Sequence, residues 1–218
     1  NPTEIANNLK KNGGFIPGVR AGKNTSDYLN TTLKNVINKA NVNGSMYASG
    51  IINFINGTTK LENVYNIGDI DSNNTSSGLI SGINQNVKDT RIINCYNDGK
   101  LNSNNSSMIG NLEYNLGNVI LENVFNPQDN YVINLVKEAN VSVNNSYVVT
   151  NKFINLGTST GEFIQTTKEN LEDKTFILEK LQYKEFDEED YDEELVWVFE
   201  DNSLPKLFVD YSPANIYI

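Results

Sequence analysis

The chain contains no histidine, one cysteine, five prolines and one tryptophan in 218 residues. Without histidine it has neither the commonest general base nor the commonest metal ligand, and no catalytic triad of the usual form. A single cysteine, Cys95, excludes an internal disulfide framework and any multi-cysteine metal site. Its position among small apolar residues suits a buried, inert thiol. No apolar run reaches the roughly 18 residues a spanning helix needs, and no signal peptide is evident. The chain starts at Asn1 rather than Met and is expected to be an excerpt, so the missing leader carries little weight. No cofactor and no metal site is expected.

Charge is also one-sided. Twenty-seven acids against 17 bases give a net charge of −10, so the chain as a whole should not seek nucleic acid or an anionic membrane surface. What is abundant is asparagine: 38 residues, 35 of them at or before Asn155. Asparagine is poor inside helices but suits turns, left-handed backbone and stacked side-chain ladders. Interspersed with Val, Ile and Tyr, it predicts many short strands joined by tight turns. After residue 160 Glu, Asp, Lys and Leu take over, which marks a separate C-terminal element.

The first forty residues differ from both. TEIANNLKK (3–11) predicts a short helix, and GGFIPGVRAG (13–22) a glycine-punctuated loop, extended before Pro17. NTSDYLNTTLKNVINKA predicts a second helix. Thr25 or Ser26 would cap it, and Tyr28, Leu29, Leu33, Val36 and Ile37 recur at helical spacing. Residues 1–29, with the string NLKKNGGFIPG, resemble a cytoplasmic loop of the preprotein translocase subunit SecY. The resemblance implies a loop that docks the ribosome or the SecA motor. Arg20 would fall on its exposed arginine, with Lys10, Lys11 and Lys23 on the same basic surface. Two departures follow. Ala21 replaces the expected proline, and the polar stretch NKANVNGSMYASG stands where a transmembrane helix should follow. Read alone, the four basic residues are a solvated loop.

Internal repeats organise the middle of the chain. LENVYNIGDID (61–71), IINCYNDGKLN (92–102) and LENVFNPQDN (121–130) share the pattern apolar-x-Asn-apolar-aromatic-Asn, with a weaker copy, VNNSYVVTN, at 143–151. YASGIINFIN (47–56), SSGLISGINQN (76–86) and SSMIGNLEYN (106–115) interleave with them. Each unit of about 30 residues therefore carries two short strands. Such strands cannot close a core alone, but stacked coils about 4.8 Å apart satisfy one another's backbone. The expected fold is mainly β: a parallel β-helix, or β-solenoid, over 41–160. Val64, Cys95 and Val124 should form one ladder, Tyr65, Tyr96 and Phe125 an aromatic ladder on the opposite face, and Asn63, Asn94 and Asn123 an amide ladder. Period two alone leaves open which ladder points inward. Gly68 and Gly99 are expected to supply positive-φ turns. NCYNDGKL (94–101) and SGLISG (77–82) resemble the GLUG-type repeats of bacterial surface proteins, which implies a surface or secreted structural and binding role.

The C-terminal part (161–218) reads as an α+β cap. TTKENLEDKTFILEKLQ (166–182) predicts a helix opened by a Thr166–Glu169 capping box. EFDEEDYDEE (185–194) holds eight acids but lacks the spacing and glycine of an EF-hand, and reads as a solvated acidic loop. LVWVFEDNSLPKLFVDY predicts a strand, a turn at Asp201–Asn202 and a second short strand. Trp197 should be buried between helix 166–182 and the last coil, closing an open solenoid end.

Three functions compete. The repeats favour a non-enzymatic surface or secreted protein with a structural or adhesive role, with glycans or other surface proteins as partners; Tyr and Phe on a solenoid face can stack on glycans, but the aromatic ladder reads first as packing within or across coils. The first thirty residues favour a translocase fragment, membrane-associated on the cytoplasmic side. A polysaccharide-active β-helix enzyme would need an acid/base pair. Asp69, Asp71, Asp89 and Asp98 on the turns are its candidates, but they do not line up at one rung as a cluster, and no basic residue recurs beside them.

Overall fold

The computed structural model describes residues 33–55, 57–83, 89–112, 117–188 and 196–208. The chain is a parallel β-solenoid. The first coil comprises β1 (Leu33–Asn38), β2 (Val42–Gly44), β3 (Tyr47–Ser49) and β4 (Ile52–Ile55). The second holds β5 (Thr59–Asn66), β6 (Ile70–Ser72) and β7 (Thr75–Ile83), and the third β8 (Asp89–Asn97), β9 (Leu101–Asn102) and β10 (Asn105–Leu112). The fourth has β11 (Asn118–Glu122), β12 (Phe125–Asn126) and β13 (Tyr131–Val136); the fifth has β14 (Asn140–Asn144), β15 (Ser146–Val148) and β16 (Ile154–Leu156). β17 (Phe163–Gln165) begins a sixth.

Each strand pairs in parallel with its equivalent one coil away. Leu33 faces Leu61, Leu61 faces Ile92, Ile92 faces Leu121, and Leu121 faces Val143. These side chains point inward. With Val64, Cys95, Val124, Ile80, Ile109 and Ile133 they fill one continuous core. Tyr65, Tyr96 and Phe125 point outward, which settles the direction that alternation alone left open.

Alternation breaks at one place in each coil. Leu61 and Val64 both face the core although two residues separate them. The extra step is taken by an asparagine in left-handed backbone: Asn35, Asn63, Asn94, Asn123 and Asn145 have φ of 59°, 54°, 52°, 52° and 45°. Asparagine tolerates that region better than any other residue with a Cβ. The amides then stack. Asn63 Nδ2 donates to Asn35 Oδ1 (3.0 Å), Asn94 to Asn63 (2.9 Å), Asn123 to Asn94 (3.2 Å) and Asn145 to Asn123 (2.7 Å). A second ladder runs with the opposite polarity, Asn38 donating to Asn66 (2.6 Å) and Asn66 to Asn97 (2.7 Å). A Cβ on Gly78 would lie 2.4 Å from the Asn97 side chain, and one on Gly50 2.6 Å from that of Asn66. The two interleaved phrases of the repeat thus meet, amide of one against bare backbone of the other. SSMIG of the third coil has no counterpart of Gly78, since Ser107 pairs with Ser77 and Ile109 with Ile80. There Asn126 turns to Asn130 instead.

Several expectations are corrected. Gly68 and Gly99 do not have positive φ; among the described glycines only Gly157 and Gly161 do. Gly68 and Gly99 are small because the coils nearly touch: an added Cβ would sit 2.0 Å from the carbonyl oxygen of Ala40 or Gly68. The second predicted helix does not cross 33–38. Leu33, Val36 and Ile37 lie on β1, because pairing with β5 serves the backbone better than an isolated helical turn. Among the described residues the solenoid strands run from Leu33 to Gln165. The first predicted helix, the rest of the second and the loop at 13–22 lie outside the described residues. The helix expected over 166–182 is broken into α1 (Lys168–Leu171), α2 (Lys174–Phe176) and a π-helical turn, Ile177–Leu181. Thr167, not Thr166, caps the first piece by accepting from Asn170 N, and Asp173 starts the second by accepting from Phe176 N. A side chain able to cap in mid-segment competes with helix continuation.

The corner amide makes two demands, a left-handed φ and a hydrogen-bond relay. Asn94→Gly removes only the relay and should cost about 1–2 kcal/mol. Asn94→Ala adds the left-handed penalty of about 1–2 kcal/mol and should be the worse of the two in urea unfolding. Equal midpoints for the two variants would show that the backbone conformation contributes nothing.

Candidate functional site

The outward aromatic ladder was the first candidate. Tyr65 and Tyr96 stack at 4.7 Å and 7°, and Tyr96 and Phe125 at 4.5 Å and 14°. Tyr147, paired with Phe125, adds a fourth coil. This face is not open to a ligand: Tyr65, Tyr96, Phe125 and Tyr147 are all buried. The C-terminal segment lies across them. Leu171, Ile177, Leu181, Tyr183, Trp197, Leu204 and Leu207 join the four rings in a second apolar cluster, separate from the solenoid interior.

Trp197 is fully buried, as expected, but elsewhere than expected. Its ring stacks on Tyr183 at 4.5 Å and leans on Tyr65 (6.1 Å) and Tyr96 (6.4 Å). These belong to the second and third coils, so Trp197 covers the flank and not the end of the solenoid. β18 (Trp197–Val198) pairs antiparallel with β19 (Lys206–Leu207). Asn202 takes left-handed backbone in the turn between them. Polar contacts fix the cover in register: Tyr96 Oη donates to Pro205 O (2.6 Å), Tyr183 Oη donates to Asn123 O (3.1 Å), and Asn145 Nδ2 donates to Lys180 O. Burial pushes the Tyr183 phenol well above its ordinary value. Burial likewise pushes the Cys95 thiol up to about 12.

Beside the cover, the corner amides floor a narrow groove of about 140 Å³. Asn94 and Asn123 are partly exposed in it, whereas Asn63 is buried. Lys34, Glu62 and Ile93 form one wall, Gln182 and Lys184 the other. Beyond that wall the outer face of β5, β8 and β11 stays partly exposed, carrying Lys60, Glu62, Arg91, Ile93, Ile120 and Glu122. Lys60 pairs with Glu62 (2.7 Å) and Arg91 with Glu122 (3.3 Å).

The four candidate aspartates do not converge. Asp69 Oδ1 accepts from Lys100 N, Asp89 Oδ1 from Asn118 Nδ2, and Asp98 Oδ1 from Gln128 Nε2, each joining one coil to the next. Asp71 is exposed on β6. Among the described residues no group of three or more acids and cysteines could hold a metal ion. Lys10, Lys11, Arg20 and Lys23 lie outside the described residues. The pattern contained Asn66 and Asn97, but the pairing of their amides with Gly50 and Gly78 was not read from it. The interleaving of two phrases in every repeat was the signal.

Comparison with known proteins bears on the other end of the chain. The SecY family model matches residues 1–70. The amino-terminal segment is SecY-like. Protein translocase subunit SecY of Streptomyces coelicolor is 51% identical over 47 residues, 22% of this chain and 10% of that protein. The same subunit of Geobacillus stearothermophilus is 58% identical over 33 residues, 15% of this chain and 33% of that one. That of Helicobacter pylori is 47% identical over 47 residues, 22% and 10% respectively. The chain thus spans only a tenth to a third of the SecY proteins it matches. No solved structure matches it. The SecY match reaches beyond the basic loop into β1–β5, so SecY-like sequence and solenoid coils overlap over 33–70. No helix among the described residues is long and apolar enough to cross a membrane.

Two predictions follow from the buried groups. Trp197→Ala should cost about 3–5 kcal/mol and leave the tyrosine ladder open to solvent, seen as a lower unfolding temperature and new dye binding. An unchanged melting temperature with free iodide quenching of wild-type fluorescence would rule the cover out. Cys95 concerns pH. Its folded pKa is raised, so above the ordinary thiol pKa of 9.0 the unfolded chain binds fewer protons than the folded one. Stability should then fall from about pH 9 towards 12, by about 1.4 kcal/mol per unit for this group. Cys95→Ala should flatten that part of the slope. A slope identical in the two proteins would place the thiol in contact with water.

Proposed function

We propose that the chain is a non-enzymatic surface or secreted solenoid with a structural or adhesive binding role, carrying a SecY-like piece at its amino end. One observation supports this above others. Among the described residues, the ladder aromatics, the corner amides and the carboxylates of Asp69, Asp89 and Asp98 are engaged in holding coil to coil and cover to flank. The outer face of β5, β8 and β11 is partly exposed and carries paired charges and isolated isoleucines. Such faces suit recognition of extended surfaces, and the phrases NCYNDGKL and SGLISG keep their likeness to GLUG-type surface repeats. Partners in this reading are glycans or other surface proteins.

The SecY match favours a second reading. Here the chain is a translocase piece whose Lys10, Lys11, Arg20 and Lys23 dock the ribosome or SecA on the cytoplasmic side. Fractionation of cells expressing the gene, with protease shaving of intact cells, separates the two. Release of solenoid peptides by shaving is the expected result. Cosedimentation with ribosomes, abolished by Arg20→Ala and with nothing shaved, would overturn the surface reading. A polysaccharide-degrading enzyme would instead release new reducing ends from cell-wall glycans.

A further inference from the structure

We propose that copies of this chain join end to end, β1 of one stacking in parallel on β17 of the next, to build an open-ended filament. Such assembly goes beyond the surface reading and stands without it. Among the described residues β1 pairs only with β5, and β17 only with β15. Each keeps one edge with no described strand beside it, and such an edge is a template for further pairing. Core positions of the first coil are also unsealed. Leu33 and Val36 are half-buried, whereas their partners one coil in, Leu61 and Val64, are fully buried.

Three features of these edges select a second copy as the occupant. The first is the corner. Between Leu33 and Val36 alternation breaks at left-handed Asn35, so an ordinary extended strand laid along β1 would slip out of phase past that residue. A parallel strand with its own left-handed corner keeps phase, and β17 follows such a corner at Gly161, with φ of 77°. The second is the row of side chains. Ile37 faces Tyr65, Tyr65 faces Tyr96, Tyr96 faces Phe125, Phe125 faces Tyr147, and Tyr147 faces Ile164. The aromatic ladder thus ends in isoleucine on both sides, half-buried at Ile37 and 46% exposed at Ile164. Stacking β1 on β17 brings the two together and continues the row. The third is polarity. Asn35 Oδ1 accepts from Asn63, while no described group takes the side-chain N–H groups of Asn35. The relay therefore ends in an outward donor. On the last coil Glu162 stands in register with Asn145, because Ser146 pairs with Phe163, and its exposed carboxylate is an acceptor. Charge favours the same contact, since residues 33–55 hold Lys34 and Lys39 and no acid.

A twofold pairing of two first coils would run antiparallel, put the corners out of register and set lysine against lysine. The two ends differ, so the contact is heterologous and does not close on itself. The ladder sheet runs through six strands, β1-β5-β8-β12-β15-β17, so each copy should add about 29 Å, six strand spacings of about 4.8 Å. β16, the last strand of the second sheet, lies one coil short of β17. The joint therefore runs through the ladder sheet and leaves a step one strand deep beside it.

The test is sedimentation of the full chain over a concentration series, with electron microscopy of the largest species. Ile164→Lys alters the exposed end of the row and Ile37→Lys the opposite end. Should Ile37→Lys fail to fold, Asn35→Gly removes the outward donor while tolerating the positive φ. The wild-type mass should rise with concentration, giving filaments with an axial rise of about 29 Å per copy. Each variant should raise the concentration needed for assembly at least tenfold. Below that concentration, a mixture of Ile164→Lys with a variant of the other end should form dimers and nothing larger, because the pair has one sound junction between them. A wild type that stays monomeric would overturn the proposal, as would assembly that stops at a dimer, assembly indifferent to Ile164→Lys, or a mixture that stays monomeric. Failure of the surface reading would register separately, in the shaving experiment.

Discussion

The left-handed asparagine corner is the constraint on which the other features of this protein depend. A strand of three or four residues has to change direction without losing its pairing to the coils above and below. The turn must therefore repeat its backbone angles coil after coil, and the residue there must tolerate positive φ. Glycine would meet the second need but offers nothing to hold successive coils in register. Asparagine meets both, and its amide passes a hydrogen bond from Asn145 through Asn123, Asn94 and Asn63 to Asn35. The intervals along this relay are 22, 29, 31 and 28 residues. Coil length can vary because loops elsewhere absorb the difference while the corners stay aligned. Register in turn sets which side chains face in, and hence the single core of Leu61, Ile92, Leu121 and their neighbours.

Fixing the corner also fixes the aromatic row one residue past the next core position. Three stacked rings, with Tyr147 on the next coil, form an apolar strip on the outside of the solenoid, which would be a liability if exposed. The C-terminal segment answers it with Trp197, Tyr183, four leucines and one isoleucine. Among its described residues this segment has broken helical turns and a hairpin of two-residue strands. Its order comes from what it covers. Hydrogen bonds from Tyr96 to Pro205 and from Tyr183 to Asn123 mark where solenoid and cover are matched.

The overlap of SecY-like sequence with the first coils has a physical explanation in the same pairing. Residues 33–38 carry apolar side chains at positions that suit a helix face as well as a strand. Next to an existing coil, a strand satisfies its backbone groups along the whole edge of β5 and gains register from Asn35 and Asn38. The neighbour decides between two conformations that local propensity leaves close in energy.

The sequence by itself determined the class of fold, because a repeat of short apolar-aromatic-asparagine phrases has no other way to bury its side chains than to stack. It also determined the equivalence of Asn63, Asn94 and Asn123, since register is a property of spacing. Tertiary structure alone decided which ladder was interior, because alternation is symmetric until one face meets a core. It decided that Gly68 and Gly99 serve close approach between coils and not positive φ, a distinction that depends on a carbonyl one coil away, at Ala40 or Gly68. It placed Trp197 on the flank, since an apolar run announces burial but not its partner. It also broke helix 166–182, whose apolar spacing was real but whose Asp173 found a better use as a cap against a surface that only the folded solenoid provides.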